Sequence, residues 1–146
     1  MIRLEVKNLN KSFKVHTRGG VEVKGFENIN LEVKNGEFLS LYGPSGAGKS
    51  SILKTLFRTY TTTSGNIIFH KDNGSTIDIA NASESEILNL RKNEIGYVSQ
   101  FLQILPRSSA VDIVSQQLIV KGESEQIARS KAKELLDYLS IREELF

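Results

Sequence analysis

Eight consecutive residues, Gly43-Pro44-Ser45-Gly46-Ala47-Gly48-Lys49-Ser50, satisfy the pattern G-x-x-x-x-G-K-[ST] at every fixed position. Glycines let a backbone curl until successive N–H groups point inward, where they donate to the oxygens of a phosphate chain. Side chains at Gly46 and Gly48 are expected to obstruct that approach. The Lys49 ammonium can bridge β- and γ-phosphates, and the Ser50 hydroxyl can ligate Mg²⁺. A helix starting here would add the partial positive charge of its N-terminus. The chemistry predicted is the cradling of a nucleoside triphosphate with its metal ion. The bland alternative is a glycine-rich strand-to-helix turn that holds nothing.

Such a loop needs a strand before it and a helix after it, and the sequence supplies both patterns. "EFLSLY" (37–42) reads as a largely buried strand, and "KSSILKTLFRTY" carries Ile52, Leu53, Leu56 and Phe57 at helical spacing. Upstream, Ile29, Leu31 and Val33 alternate with polar residues, as in a strand covered on one face, before Asn35-Gly36 turns the chain. Downstream, "GNIIFH" and "STIDIA" flank Asp72-Asn73-Gly74, a hairpin signal. "EIGYVSQ" reads as one more short strand. Ser83 with Glu86, and Ser109 with Asp112, are capping-box pairs ahead of helical apolar patterns. The last long segment sets Ala128, Ala132, Leu135, Leu136 and Leu139 on one helical stripe.

Composition narrows the class. At 146 residues the chain has room for one globular domain with a real core. Its 19 basic and 17 acidic residues are scattered without a block of one sign, so charge gives no nucleic-acid or membrane surface. Without cysteine there is no disulfide framework, thiol chemistry or Cys-based metal site. No apolar signal core or membrane-length run is present, and the expected location is the cytoplasm.

Two residues outside the loop carry possible chemistry. Phe13 closes the first strand-like segment, where an aromatic ring can stack on a base; the alternative is one more core phenylalanine. Gln100 ends "GYVSQ", where its amide can reach a metal ion or an attacking water; the alternative is a solvated surface glutamine.

Together, "LNKSF", "INLEVKNGEFLSLYGPSGAGKSS", "TTTSGNIIF" and "IGYVSQ" resemble the amino-terminal part of an ATP-binding cassette (ABC) ATPase, nearly end to end. The resemblance implies an α/β P-loop NTPase fold with an antiparallel β subdomain and the start of a helical subdomain, truncated. It implies a β subdomain and core over 1–106 and the beginning of the helical subdomain over 107–146, which in this family faces the partner protein. It makes Phe13 the adenine-stacking residue, Gly43 through Ser50 with Ser51 the Walker A loop, and Gln100 the Q-loop glutamine, acting on metal and water. The implied cofactors are ATP and Mg²⁺, and the implied partner is a second cassette subunit.

A sharper likeness links "GYVSQFLQILPRSSAVDIV" and the insertion "HKDNGSTIDIA" to the cassette-type L subunit of the phosphonate carbon–phosphorus lyase system. On that likeness ATP would serve a soluble enzyme complex. The alternative is a cassette of the lipoprotein-release or macrolide-export type, working on a membrane permease. The 146 residues contain no LSGGQ-like signature, no Walker B strand ending in Asp-Glu and no switch histidine; His16 and His70 lie in the wrong contexts and are expected at loop or strand ends. The chain alone is therefore expected to bind nucleotide without turning it over. Two rivals of other classes remain: a small-molecule kinase, for which no acceptor site is evident, and a docking module with a vestigial nucleotide site.

Overall fold

The computed structural model describes residues 1–15, 20–100 and 108–141. The chain divides into two compact units, Met1–Gly96 and Tyr97–Phe146.

In the first unit, strands β1 (Ile2–Val15), β2 (Val21–Lys34), β3 (Ser64–His70) and β4 (Thr76–Asp78) form one antiparallel sheet in the order β2-β1-β3-β4. Helices α1 (Lys49–Leu56) and α2 (Glu84–Asn93) complete it. The sheet contributes Val6, Leu9, Phe26, Ile67 and Phe69 to a core that Ile52 of α1 and Ile87 and Leu90 of α2 share. Burying such side chains contributes roughly 1.5–3 kcal/mol each, which is what fixes both helices to the sheet.

The long β1–β2 ladder is not regular. Between the pairs Val6↔Leu31 and Leu9↔Ile29, β1 carries one extra residue; between Leu9↔Ile29 and Lys11↔Phe26 the extra residue is in β2. Further shifts lie between Ile2 and Leu4 and between Lys11 and Ser12. At the two central bulges Asn8 and Asn28 adopt left-handed backbone, φ 48° and 49°, which asparagine tolerates better than most residues. Each is braced from across the ladder: the Asn8 N–H donates to Asn30 Oδ1 at 2.9 Å, and the Asn28 N–H to Asn10 Oδ1 at 2.8 Å.

The expected hairpin is present. Lys71 N–H donates to the Ser75 carbonyl at 2.8 Å across Asp72-Asn73-Gly74, with Gly74 at φ 81°. Asp78, which ends β4, accepts from the backbone of Ile67 and Ala80 and from the amides of Asn66 and Asn81. Partial burial pushes the Asp78 carboxyl up, but these four donors together outweigh it and hold the group below the usual carboxylate value. At α2 the predicted capping box forms between Ser83 and Glu86. The Arg91 guanidinium then fastens α2 to the end of α1, lying 4.6 Å from the Phe57 ring centroid and donating to the Phe57 carbonyl.

The second unit holds α3 (Ala110–Val120) and α4 (Glu125–Tyr138). Ser109 and Asp112 form the predicted box at α3, Ser124 caps α4, and Asp112 also pairs with Arg129. The helices pack through Val111, Ala132 and Leu136. Leu135 and Leu139, expected on the covered stripe, are largely exposed; the buried face narrows to Ala128, Ala132 and Leu136, each four residues apart.

Two expected strands are absent. Residues 37–44 and 95–99 join no ladder, and Phe38, Tyr42 and Val98 are almost fully exposed at 92, 102 and 93%. A strand is a paired state, because its N–H and C=O groups require a neighbour. Among the described residues none pairs with these stretches.

Candidate nucleotide site

The glycine loop joins the 37–42 stretch to α1, and its conformation is of the kind the sequence demands. Gly46 and Gly48 lie at φ 82° and 85°, backbone that side chains rarely adopt. The reason for Gly48, however, is more than room for a ligand. A Cβ there would stand 2.3 Å from the carbonyl oxygen of Gly25, so β2 approaches the loop too closely for any other residue. At Gly46 a Cβ would meet nothing within 4 Å, and the positive φ alone selects glycine.

Helix α1 begins immediately at Lys49. Of the four described helices it alone lacks a side-chain cap, and its first turn carries no acidic residue. Its leading N–H groups thus have no side-chain acceptor of their own, and no carboxylate repels an anion there. Ser45, Gly46, Ala47 and Ser50 are exposed. Lys49 Nζ folds back across the loop and donates to the carbonyls of Gly43 and Pro44, both at 2.7 Å. Behind the loop, Thr55 is fully buried and donates to the Ser51 carbonyl at 2.8 Å, holding the first two turns of the helix against the core. Curled backbone, uncapped helix start, ammonium and hydroxyl together fit a Mg²⁺-bound triphosphate, for which Gly46, Gly48 and Lys49 would be the residues at the phosphates and Ser50 the one at the metal.

Phe13 is not a core phenylalanine. It is half-buried near the end of β1, outside the core cluster, while Phe26 takes the core position. Its ring lies 5.2 Å from that of Tyr60 at an interplanar angle of 81°, and Lys11 Nζ stands 4.9 Å from its centroid. A Cβ at Gly25 would lie 2.7 Å from Phe13 Cε2. Gly25 therefore touches the Phe13 ring on one side and the loop, at Gly48, on the other. Sequence reasoning missed it, although a lone glycine inside the strand pattern "VEVKGFENI" signals a bulge or a close backbone approach. It missed Tyr60 as well, for which no sequence signal existed.

Gln100 falls in the second unit, exposed, at the last described position before 101–107. Much of the phosphonate-like stretch after it, and His16, lie outside the described residues. His70 is the final residue of β3, a strand end as expected.

A loop of the G-x-x-x-x-G-K-[ST] pattern opening a short helix beside an antiparallel sheet is the arrangement of P-loop nucleotide-binding proteins. The family model for ABC transporters matches residues 26–145, and the chain belongs to that family. It is 36% identical over 118 residues to the lipoprotein-releasing system ATP-binding protein LolD of Ehrlichia ruminantium, covering 81% of this chain and 50% of the relative. It is 34% identical to LolD of Bordetella pertussis, over 91% of this chain and 56% of the relative. Among solved structures, the dimeric post-hydrolysis state of the ATP-binding cassette MJ0796, bound to ADP and Pi, superposes with a TM-score of 0.81. Its identity is 30%, over 97% of this chain and 59% of that one. The chain spans about half the length of the curated relatives it matches. The fold is thus that of an ABC-type P-loop ATPase, and these relatives give the phosphonate-specific likeness no support.

Proposed function

We propose that residues Gly43–Ser51 bind the phosphates of Mg·ATP while Phe13 stacks on the adenine. In the intact protein this site would hydrolyse ATP against a second cassette subunit, driving a membrane permease of the lipoprotein-release type. The observation that carries the reading is the loop itself: left-handed Gly46 and Gly48, Lys49 turned across the loop, and an α1 N-terminus with neither cap nor carboxylate. Bound Mg²⁺ would supply charge neutralisation across the β- and γ-phosphates. The chain's own work is to hold and orient: backbone N–H groups and Lys49 grip the phosphates, Ser50 offers its hydroxyl, and Gln100 is the candidate for positioning water and metal. The start of the helical subdomain, 107–146, would face the partner, with the protein on the cytoplasmic side of the membrane. No described helix is long and apolar enough to cross a membrane. The relatives favour a permease as partner over the carbon–phosphorus lyase complex. The lyase reading rests on the 96–114 stretch and the inserted hairpin, and neighbouring genes encoding phosphonate-lyase subunits would restore it.

The direct test is calorimetric titration with Mg·ATP. Lys49→Ala is expected to abolish binding; unchanged affinity would remove Lys49 from the site, and no measurable ATP affinity even in the full-length protein would favour the docking module. Transfer of phosphate to an added small-molecule acceptor would instead identify a kinase.

A further inference from the structure

The segment between α1 and β3 is tied down at both ends. Arg58 closes α1 in left-handed backbone, φ 62°, and the N–H groups of Thr59 and Tyr60 both donate to the Lys54 carbonyl, at 2.8 and 3.2 Å. At the other end Thr63 N–H donates to the Asn10 carbonyl at 2.9 Å, and Thr63 Oγ1 accepts from the Ser12 N–H at 3.0 Å. The segment is therefore pinned to β1 at the residue preceding Phe13. Between the two anchors Tyr60 is half-buried, with Lys54 Nζ 5.4 Å from its ring centroid and the Phe13 ring nearly perpendicular to its own.

A phenyl ring turns about two side-chain torsions, and a stacking platform works only in the plane the base requires. A perpendicular neighbour cannot itself provide that parallel stack, but it fixes the plane of the ring it touches. We propose that Tyr60 is a positioning residue for nucleobase stacking: held between α1 and β1, it sets the plane of the Phe13 ring against which the base of a nucleoside triphosphate lies. The proposal rests on Phe13 being the base-stacking residue, and the experiment separates the two.

Mg·ATP and Mg·tripolyphosphate are titrated into the full chain, and the ratio of their affinities reports the contribution of the base and its sugar. Tyr60→Leu is expected to lower that ratio about three- to tenfold while tripolyphosphate affinity stays unchanged. Tyr60→Phe is expected to preserve both, because the contact uses the ring and not the hydroxyl. Equal losses for both ligands in Tyr60→Leu would make Tyr60 a structural residue and overturn the proposal. So would an unchanged or increased ratio, the latter placing Tyr60 where the base should go. Phe13→Ala decides which reading has failed: if it collapses the ratio and Tyr60→Leu does not, positioning alone is wrong. A ratio that Phe13→Ala leaves intact, or no preference in the wild type, removes Phe13 as the stacking residue and this proposal with it.

Discussion

Gly25→Ala should expose how tightly Phe13 is held. The new Cβ would lie 2.7 Å from Phe13 Cε2, against an ordinary contact of 3.4 Å or more, so the ring must retreat by about 0.7 Å. The Lys11 carbonyl, at 3.0 Å, must also give by a few tenths of an ångström. Overpacking of this kind costs typically 1–3 kcal/mol, offset by about 0.4–1 kcal/mol because alanine restricts the unfolded chain more than glycine does. A net loss of about 1–2 kcal/mol follows. In a Phe13→Ala background the ring is gone, only the milder carbonyl contact remains, and Gly25→Ala should be nearly neutral. The assay is urea unfolding of the wild type, both single variants and the double variant, read as a double-mutant cycle. A coupling of about 1 kcal/mol or more is expected. Strictly additive effects would show that Gly25 does not press on Phe13, and the bridge from ring to loop would be lost.

Two other outcomes follow from the fold and the sequence. Asp78 is held below the usual carboxylate value, so the stability it contributes is complete above the unfolded value of about 3.9 and is lost as pH falls through the lower folded value; urea midpoints measured from pH 5 to pH 3 should fall more steeply for the wild type than for Asp78→Asn, and equal slopes would refute the four-donor account. The 146-residue chain, lacking signature, Walker B and switch sequences, should release no phosphate from ATP above background in a steady-state assay beside a full-length relative, since groups that stabilise the transition state are commonly worth orders of magnitude each. Turnover that disappears in Lys49→Ala would mean that another residue here supplies the missing base.

What the sequence made legible was whatever local chemistry specifies by itself. The left-handed glycines of the loop and the helix start after it, the Asn73-Gly74 hairpin and the boxes at Ser83 and Ser109 each depend on residues within a few positions of one another, and each formed as read. Residues 37–42 and 95–100 read equally well as strands, but pairing depends on a neighbour that local pattern cannot supply. Burial failed similarly at the margins of α4, where the helical stripe was broader than the face α3 covers. Of the candidate site, the glycine loop was legible because its motif is contained in eight consecutive residues. Of the proposed base end, only the aromatic at Phe13 was legible. What surrounds it, Tyr60, Lys11 and Gly25, is assembled by strand register and by the return of the chain from α1.

The paired bulges in β1 and β2 determine which single-residue length changes the protein can absorb. Side chains along a strand alternate between its two faces, yet Val6 and Leu9 are both buried although three positions apart, as are Phe26 and Ile29 to a lesser degree. The extra residue at Asn8 reverses the alternation in β1, and the one at Asn28 reverses it in β2, so the two strands are back in their earlier register at Lys11↔Phe26; one more β2 residue, Gly25, is extra between that pair and Ser12↔Lys24. Deleting Asn8 alone would turn every later side chain of β1 over, sending Lys11 and Phe13 to the opposite face of the sheet. A compensating deletion at Asn28 would restore the pairing but leave that inversion in place. The spacing from Val6 to Phe13 is therefore an odd-even constraint: this arm of β1 tolerates changes of length in twos, not in ones.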